Sequence, residues 1–590
     1  MPFGAQVTPD GRTRFRLWAP GQDRVALAVD GESKILDMQP GENGWHELTT
    51  DRACAGSRYR FVLADGLQVP DPASRFQPLD VEGPSEVMDP AAFDWRVDWR
   101  GRPWTEAVIY ELHVGTFTTE GTFRAAGEKL DYLADLGVTA IEMMPVADFP
   151  GRFNWGYDGV LPFAPDSTYG HPDDLKAFVD AAHARGIMVL LDVVYNHFGP
   201  EGNYLRAYAP QFFTARHKTP WGDGINFDGT DAGAVREFFV HNALYWIEEY
   251  QLDGLRLDAV HAIRDDSRKH IIAELAERVR AQAGERPVHL LLENEENQPE
   301  WLQRDDRGRP VWFTAQWNDD VHHVLHTAVS GEGSGYYTDY LRDTRKLGRA
   351  VAEGFAFQGE MMPYRGRARG GPSRHLPPDA FVAFLQNHDQ TGNRAFGERI
   401  GQLTNEPALR AAVALYLLLP QIPMLFMGEE WKARAPFLFF CDFSGDLAEA
   451  VRRGRREEFA RFPQFQDPAQ AARIPDPESV ETFRSSKLDW QEAAAPSHQE
   501  WREWYRRILQ VRRECITPLL PRIGPHASQY EVRGDGGVVV RWSIEDHAEL
   551  ILAANLSGTP LAGFPVRRGA LLWQEGQAPG DAWSVCWWLA

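Results

Sequence analysis

Short runs of alternating apolar and polar residues fill the first part of the chain, among them RFRLWAP, RVALAVDG, GWHEL and YRFVLADG. A period of two residues is typical of strands that bury one face, and turn residues separate these runs. The pattern predicts a small antiparallel β-sandwich over residues 1–95. A proline-rich, turn-like stretch, Val69–Pro78, precedes the end of this domain.

From about residue 104 the pattern changes to continuous apolar runs separated by amphipathic segments. Seven runs are clear, and GRPVWFTAQWNDD supplies a weaker eighth; the seven are AVIYELHVGTF, GVTAIEMMPV, GIMVLLDVVYNH, DGLRLDAV, VHLLLENEE, FVAFLQNHD and IPMLFMGEE. Apolar strands with helices between them are typical of a parallel sheet whose outer face is covered by helices. Eight strand-helix units predict a (β/α)8 barrel over residues 96–500, with inserted loops that include residues 432–488.

Helix signals support this order, and the last part of the chain returns to alternating strands. Pro172 and Gly186 bracket one amphipathic helix, and AEAVRRGRREEFARF and Gln499–Arg513 predict two more. The runs SQYEVRG, GVVVRWS, ELILAANLS and ALLWQ predict a C-terminal antiparallel β domain over residues 515–590. The GDGG sequence between the first two runs is a hairpin signal.

Composition restricts the class of protein. The net charge of -22, from 84 acidic and 62 basic residues, disfavours nucleic acid and anionic lipid and favours a neutral ligand. The 4 cysteines show no paired spacing, which argues against a disulfide framework or a zinc knuckle. No apolar run approaches the roughly 20 residues of a membrane helix. The start MPFGAQVTPDG lacks secretory features, so we expect a cytoplasmic protein.

Arg256 and Asp258 stand two residues apart at the end of the apolar run DGLRLDAV. Side chains alternate along a strand, so both point to the same side, at the carboxyl end where barrel enzymes have their active sites. The guanidinium favours the ionised carboxylate, as a nucleophile requires. A structural ion pair capping the barrel is the alternative.

Other predicted strands end in the same kind of residue. DVVYNH provides Asp192, Asn196 and His197, LLLENEEN provides Glu293, and FLQNHDQTGNR provides His388 and Asp389. Several carboxylates at one rim repel each other and stabilise poorly. They suit a glycosidase, which uses a pair of carboxyl groups.

The motifs DVVYNH, GLRLDAVH, LLLENE and FLQNHD resemble, in order and spacing, four sequence regions of the α-amylase family of glycoside hydrolases. The resemblance extends to the flanking β domains and thus covers nearly the whole chain. It implies that Asp258 is the nucleophile and Glu293 the general acid/base. Asp389 is then the carboxylate that grips sugar hydroxyls and favours a distorted ring.

The same resemblance implies roles for further residues in the cleavage subsite. Arg256, His197 and His388 match positions that bind and orient the sugar, and Asp192 supports Arg256 from behind. Tyr157, in WGYDG, resembles the tyrosine that stacks under that sugar. His261 matches a substrate-contacting position where many relatives have lysine.

Two expectations concern chemistry at the site. Glu293 directly follows the apolar strand, and its acidic neighbours Glu295 and Glu296 are expected to raise its pKa and keep it protonated. Asn196 occupies a position where calcium-dependent members have a ligand, but no calcium loop of mixed oxygen ligands is evident nearby. We therefore expect no required metal and no cofactor.

The N-terminal module and TPWGDGINFDG resemble a branch of the family that includes branching and debranching enzymes. Within it, YELHVGTFTTEGTF, AQWNDDVHH and QNHDQTGNR resemble members that act on maltooligosyl trehalose. This implies retaining hydrolysis of the α-1,4 bond next to the terminal trehalose of a neutral α-glucan oligosaccharide. Candidates for the trehalose pocket, each of which can equally be core or rim structure, are Trp221, Trp317, Asn318 and Asp319.

Three alternatives stay open at this point. A debranching or branching enzyme uses the same catalytic trio on α-1,6 linkages. A noncatalytic glucan-binding protein on this scaffold is expected to lose members of the trio, and all are present. A phosphate-handling enzyme is disfavoured because no glycine-rich loop with lysine occurs.

Overall fold

The computed structural model describes residues 1–458, 460 and 462–590. The predicted fold class is confirmed: antiparallel sheets at the N-terminus, a closed barrel of eight parallel strands, and a C-terminal antiparallel sheet. The predicted helix AEAVRRGRREEFARF is observed as Gly445–Glu458, and the next residues of that run include Phe459 and Arg461, which lie outside the described residues.

Two antiparallel sheets form the N-terminal part. One contains Gln6–Val7, Thr13–Trp18, Trp45–Thr50 and Gln39–Pro40, and the other contains Leu36–Asp37, Val25–Val29, Arg58–Leu63, Gln68–Val69 and Ser85–Glu86. Arg58–Leu63 shows why the alternating pattern predicts strands, since every second residue, from Tyr59 to Leu63, is buried.

The barrel strands follow one another in chain order around a closed parallel sheet. Every residue in them is buried, which explains the continuous apolar runs of the sequence. We label them β1 to β8: Ile109–Leu112, Ala140–Met143, Met188–Val193, Gly254–Leu257, His289–Leu292, Ala315–Trp317, Phe381–Phe384 and Ile422–Phe426. Gly254 lets β4 and β5 approach closely, because a Cβ there would lie 2.0 Å from the carbonyl oxygen of His289.

Helices cover the outside of the barrel. The principal ones are Phe123–Gly127, Leu130–Leu136, Pro172–His183, Ala232–Glu249, Ile271–Ala283, Asp319–Ser330, Thr344–Glu353, Glu406–Leu418 and Pro496–Val511. The connection from β5 to β6, described in full, contains only the 3-10 turn Pro299–Leu302. Its prolines and Gly308 break a helix, so one of the eight expected helices is absent from this connection.

Shorter elements occupy the loops. Hairpins pair Ala147–Asp148 with Leu161–Pro165, Phe213–Thr219 with Gly222–Ile225, and Met361–Met362 with Arg367–Ala368. Short helices are Val114–Phe117, Leu205–Tyr208, His388–Gly392, Ile400–Leu403, Pro463–Gln466, Pro468–Ala471 and Val480–Ser485. These loops lie largely on the carboxyl side of the strands, where barrel enzymes build their sites.

The C-terminal sheet has the strands Ser528–Val532, Gly537–Ser543, Glu549–Asn555, Ser584–Leu589 and Ala570–Glu575, in that spatial order. Four of these match the predicted runs, and Ser584–Leu589 is a fifth that the pattern did not predict. Trp587 ties this sheet to the barrel, since its indole N–H donates to the carbonyl oxygen of Ala414 at 3.1 Å. One apolar core runs through all three parts. Among the described residues, no helix combines the length and apolarity needed to span a bilayer.

Candidate active site

The sequence-predicted residues meet at the carboxyl ends of neighbouring strands. Asp192 is in β3 and Arg256 is in β4. Asp258 is the first residue after β4, and Glu293 is the first residue after β5. Strand register places Asp192 opposite Arg256. Because the strands are parallel, their carboxyl ends form one rim, and these side chains face a common cleft.

Arg256 is the centre of this arrangement and is fully buried. Its Nη1 donates to Asp192 Oδ2 at 2.7 Å and to Asp258 Oδ1 at 2.9 Å, and its Nη2 donates to Glu293 Oε2 at 2.8 Å. The face of Trp317 lies 4.1 Å from the guanidinium carbon and covers it. One guanidinium therefore holds carboxylates from three strands in fixed positions.

The pKa order of the two candidate catalytic carboxyl groups differs from the expectation. Burial, with the nearby Glu293 and Asp192, raises the pKa of Asp258 well above its ordinary value, although Arg256 and Asn196 oppose the rise. Burial also acts to raise the pKa of Glu293, but Arg256, His261 and the Ala259 N–H bring it below its ordinary value. The expectation of a raised pKa for Glu293 is wrong for the free protein. The two groups titrate as a pair.

Two local features explain the bonds to this pair. Ala259 has a left-handed φ of 39°, which turns its N–H toward Glu293 Oε2 at 2.9 Å. Such a φ is unfavourable for a residue other than glycine and is typical of functional sites. The amide of Asn196 donates to Asp258 Oδ2 at 2.7 Å and to its backbone oxygen at 2.9 Å. Asn196 thus orients the proposed nucleophile.

The acidic neighbours of Glu293 are paired with arginines. Arg365 donates to the side chains of Glu295 and Glu296 at 3.0 and 2.9 Å, and Arg367 donates to Glu296 at 2.6 Å. Arg369 donates from Nε to the carbonyl oxygen of Glu295 at 2.7 Å. The arginines follow or lie in the hairpin Met361–Ala368, and they hold the loop after β5. Glu295 and Glu296 thus have cationic partners of their own, and neither is among the principal groups that set the pKa of Glu293.

Tyr157 and His388 form a second set of contacts beside Arg256. The Tyr157 hydroxyl donates to Asp192 Oδ2 at 2.6 Å and lies 2.9 Å from His388 Nε2. The two rings stack with centroids 5.2 Å apart. Glu111, in β1, contacts the other ring nitrogen of His388. Sequence reasoning missed Glu111, although a charged residue inside the apolar run YELHV was an available signal.

His197 contacts the Tyr157 backbone and the Asn196 side chain. Its Nε2 is 3.0 Å from the carbonyl oxygen of Tyr157, and its Nδ1 contacts Asn196 Oδ1. Burial lowers the pKa of His197 to about 4, against the effect of the Tyr157 carbonyl, so the ring is neutral at pH 7. Trp221 stacks on this ring with centroids 4.2 Å apart and an interplanar angle of 1°. Trp221 is 49% exposed.

Asp389 and His261 complete the nine predicted residues. Asp389 Oδ1 accepts from the amide of Asn393 at 3.2 Å and lies 3.5 Å from His388 Nε2. Burial raises the pKa of Asp389, and His388 opposes that rise. His261 accepts at Nδ1 from the Glu295 N–H at 3.4 Å and is close enough to Glu293 to lower its pKa. All nine residues therefore lie at one end of the barrel.

The candidates for a trehalose pocket divide into two groups. Trp317 is buried against Arg256, and Asn318 caps a helix and donates its amide to Gly354 and Gln421 oxygens. Both are structural residues. Asp319 is partly exposed and lies close enough to Glu293 for the two charges to interact. Asp319 and the exposed Trp221 remain candidates.

Metal-ligand spacing occurs once among the described residues, at His217, Asp228 and Asp266. Arg216 already provides a cation there, 2.7 Å from Asp266 and 3.5 Å from Asp228. Asn196, the position of interest for calcium, uses its amide on Asp258.

Family models match three parts of the chain. The model described as alpha amylase, catalytic domain, matches residues 91–220, and carbohydrate-binding module 48 (isoamylase N-terminal domain) matches residues 2–69. A domain of unknown function, DUF3459, matches residues 525–587.

Relatives cover nearly the whole chain. A malto-oligosyltrehalose trehalohydrolase from Deinococcus radiodurans is 41% identical over 98% of this chain and 94% of its own length, and one from Saccharolobus solfataricus is 39% identical over 96% and 97%. A solved structure described as a putative alpha amylase from Salmonella typhimurium is 46% identical, with a TM-score of 0.94 over 100% of this chain and 99% of that one. The chain belongs to the malto-oligosyltrehalose trehalohydrolase family, within the α-amylase family of glycoside hydrolases.

Proposed function

We propose that this glycoside hydrolase cleaves the α-1,4 bond next to the terminal trehalose of maltooligosyl trehalose, with retention of configuration, and releases trehalose and a maltooligosaccharide. The observation that carries the proposal is the convergence of Asp258 and Glu293 on the buried guanidinium of Arg256, in a chain that belongs to this family. A retaining glycosidase needs two carboxyl groups about 5 to 5.5 Å apart, one ionised and one protonated.

The proposed reaction has two steps. The Asp258 carboxylate attacks the anomeric carbon while Glu293 protonates the glycosidic oxygen, so trehalose leaves and a glycosyl ester forms on Asp258. Glu293, now ionised, takes a proton from water, and the water oxygen displaces Asp258 to release the maltooligosaccharide. Both steps pass through an oxocarbenium-like transition state, which the carboxylates around Arg256 stabilise electrostatically.

Substrate binding shifts the protonation preference of this pair. In the free protein, Arg256 and the Ala259 N–H favour ionised Glu293, whereas burial and the neighbouring carboxyl groups favour protonated Asp258. A bound glycosidic oxygen only accepts hydrogen bonds, so it favours the protonated form of Glu293. Asp258, still bonded to Arg256 and Asn196, then becomes the ionised nucleophile.

Sugar binding is proposed for the residues around the pair. Tyr157 stacks under the ring in the cleavage subsite, and His197, His388 and Asp389 contact its hydroxyls. On the departing side, the free face of Trp221 provides a platform for a glucose ring of the trehalose unit, since aromatic faces bind the apolar faces of sugars.

A debranching or branching activity on α-1,6 linkages is the second candidate and has less support. A 1,4-alpha-glucan branching enzyme from Pseudoalteromonas atlantica is 32% identical but matches only 43% of this chain. Pullulanase structures, such as one from Paenibacillus barengoltzii at 19% identity and a TM-score of 0.70, share the fold alone.

Product analysis tests the proposal. The protein is incubated with maltotriosyltrehalose, maltopentaose and a branched dextrin, and the products are separated by chromatography. We expect trehalose and maltotriose from the first substrate and slow cleavage of the other two. Preferential cleavage of the branched dextrin would move the protein to the debranching group, and cleavage of none would refute catalysis on glucans.

A further inference from the structure

Glu111 lies within β1, and its buried carboxylate faces His388 from below the cleft. Oε1 is 2.5 Å from His388 Nδ1, and Oε2 accepts the backbone N–H of His388 at 3.0 Å. The two residues are 277 positions apart in the sequence. A single carboxylate thus fixes both the backbone and the ring of His388.

The hydrogen-bond pattern determines the protons on this ring. Nδ1 faces a carboxylate, which only accepts, so Nδ1 carries a proton. Nε2 lies 2.9 Å from the Tyr157 hydroxyl, whose own proton is donated to Asp192 at 2.6 Å. The hydroxyl oxygen is therefore the acceptor for Nε2–H. His388 is an imidazolium with both ring protons engaged.

The charges around His388 agree with this state. Burial acts to lower the pKa of His388, but Asp389 and Glu111 raise it to about 9, with Arg256 opposing. His113 is a further charged neighbour of the ring when protonated, but burial lowers its own pKa to about 3, so it is neutral at pH 7.

Glu142 is the matched neighbour of Glu111. It is paired with Glu111 in the register of β1 and β2, is equally buried, and neither of its carboxyl oxygens has a hydrogen-bond partner among the described residues. Burial, together with Glu111, raises the pKa of Glu142 well above its ordinary value and so favours its neutral form. Of these two barrel glutamates, Glu111 is the one that bonds His388.

We propose that Glu111 is a positioning residue that keeps His388 doubly protonated and in the orientation that meets the sugar. The inference rests on the proposed function, in which His388 and Asp389 contact the sugar of the cleavage subsite. The imidazolium favours ionised Asp389, which can then accept hydrogen bonds from sugar hydroxyls. Loss of the His388 charge removes this support without removing either side chain.

The substitution Glu111→Gln removes the negative charge beside His388 while keeping a side chain of the same size in place. The glutamine oxygen can still accept the His388 backbone N–H, but its amide donates to Nδ1, which then has no proton, so the ring becomes neutral. The pKa of His388 is raised to about 9 partly by Glu111, so we expect the alkaline limb of the pH profile of kcat/KM to move to lower pH in Glu111→Gln. Loss of one charged hydrogen bond lowers kcat/KM by about tenfold to a hundredfold at pH 8.

Glu142→Gln is the matched control, because it replaces a neutral buried acid on the adjacent strand with an amide of the same size. We expect its pH profile to coincide with that of the wild type. The inference would be overturned if the alkaline limb of kcat/KM stayed in place in Glu111→Gln, or if it moved equally in Glu111→Gln and Glu142→Gln. Activity retained in Asp258→Asn would instead overturn the proposed function, so the two failures are distinguishable.

A direct measurement on the unsubstituted protein avoids any folding defect. With ¹⁵N-labelled histidine, the ring signals of His388 are assigned by their loss in His388→Asn. At pH 8 we expect two protonated ring nitrogens. A ring with one unprotonated nitrogen at that pH would refute the role of Glu111.

Discussion

Removing the guanidinium of Arg256 is the perturbation with the largest expected effect on stability. Arg256→Met leaves Asp192, Asp258 and Glu293 buried together without their common partner, since Arg256 bonds all three at 2.7 to 2.9 Å. Removing one partner of a buried charge network costs about 3–5 kcal/mol. The matched variant Arg256→Lys keeps the charge but lacks the planar fork that reaches three carboxylates, so we expect an intermediate loss.

The loss of stability in Arg256→Met is expected to depend on pH. Arg256 opposes the raised pKa of Asp258 and lowers that of Glu293, so both pKa values rise in Arg256→Met. A carboxyl group whose pKa is higher in the folded than in the unfolded state binds more protons when folded, so its contribution to stability falls as pH rises. The variant should therefore be more destabilised at pH 8 than at pH 5.

Urea unfolding at both pH values, followed by circular dichroism, measures this effect, with the midpoint of the first transition compared among wild type, Arg256→Met and Arg256→Lys. A free energy of unfolding within 1 kcal/mol of the wild type at both pH values would refute the network as described. A larger loss of unfolding free energy at pH 5 than at pH 8 would also refute it. Residual activity should show an acid limb shifted to higher pH, because the nucleophile must still ionise.

Three further predictions follow from the site and the barrel. Asp258→Asn and Glu293→Gln should each lower kcat by about 10²- to 10⁴-fold and cost less stability than Arg256→Met, because each amide keeps an oxygen that can accept from Arg256; wild-type turnover in either would contradict the catalytic assignment. Gly254→Ala should yield misfolded protein, because its Cβ would meet the β5 backbone at 2.0 Å, whereas Gly233→Ala, on an open helix surface, should fold normally; equal solubility of the two would contradict the barrel geometry. Trp221→Ala should raise KM for maltotriosyltrehalose with little change in melting temperature, since the ring is half exposed; an unchanged KM would remove Trp221 from the pocket.

Hydrophobic patterning predicts most of the fold because the barrel strands are buried on both faces and their apolar runs are unbroken. The pattern failed at two places for local reasons: one strand was not predicted, and one expected helix is absent from its connection. The strand Ser584–Leu589 is a short aromatic run close to a region of glycine and proline, and the missing helix after β5 reflects Pro299, Gly308 and Pro310 rather than any change of period. At these two places, proline and glycine residues determine the local structure more than the alternation of strands and helices does.

Sequence motifs predicted that the candidate residues meet at one rim, but they could not predict how the proton is shared between Asp258 and Glu293. Which carboxyl group of the pair is protonated depends on which atoms of Arg256 and Ala259 reach it. The directions of the Glu295 and Glu296 side chains depend on Arg365, about 70 positions further along the chain. Long-range contacts of this kind leave no periodic signal in the sequence.

The connection after β5 has a consequence for engineering this scaffold. With no α-helix of its own in that described segment, the loop that carries Glu293 depends on the hairpin Met361–Ala368 and on Arg369, all of which belong to the following connection. We therefore expect the two connections to behave as one exchangeable unit, because a chimera that transplants either one alone would leave the loop of Glu293 without its anchor. Swapping specificity between relatives should succeed only when both segments are transferred together.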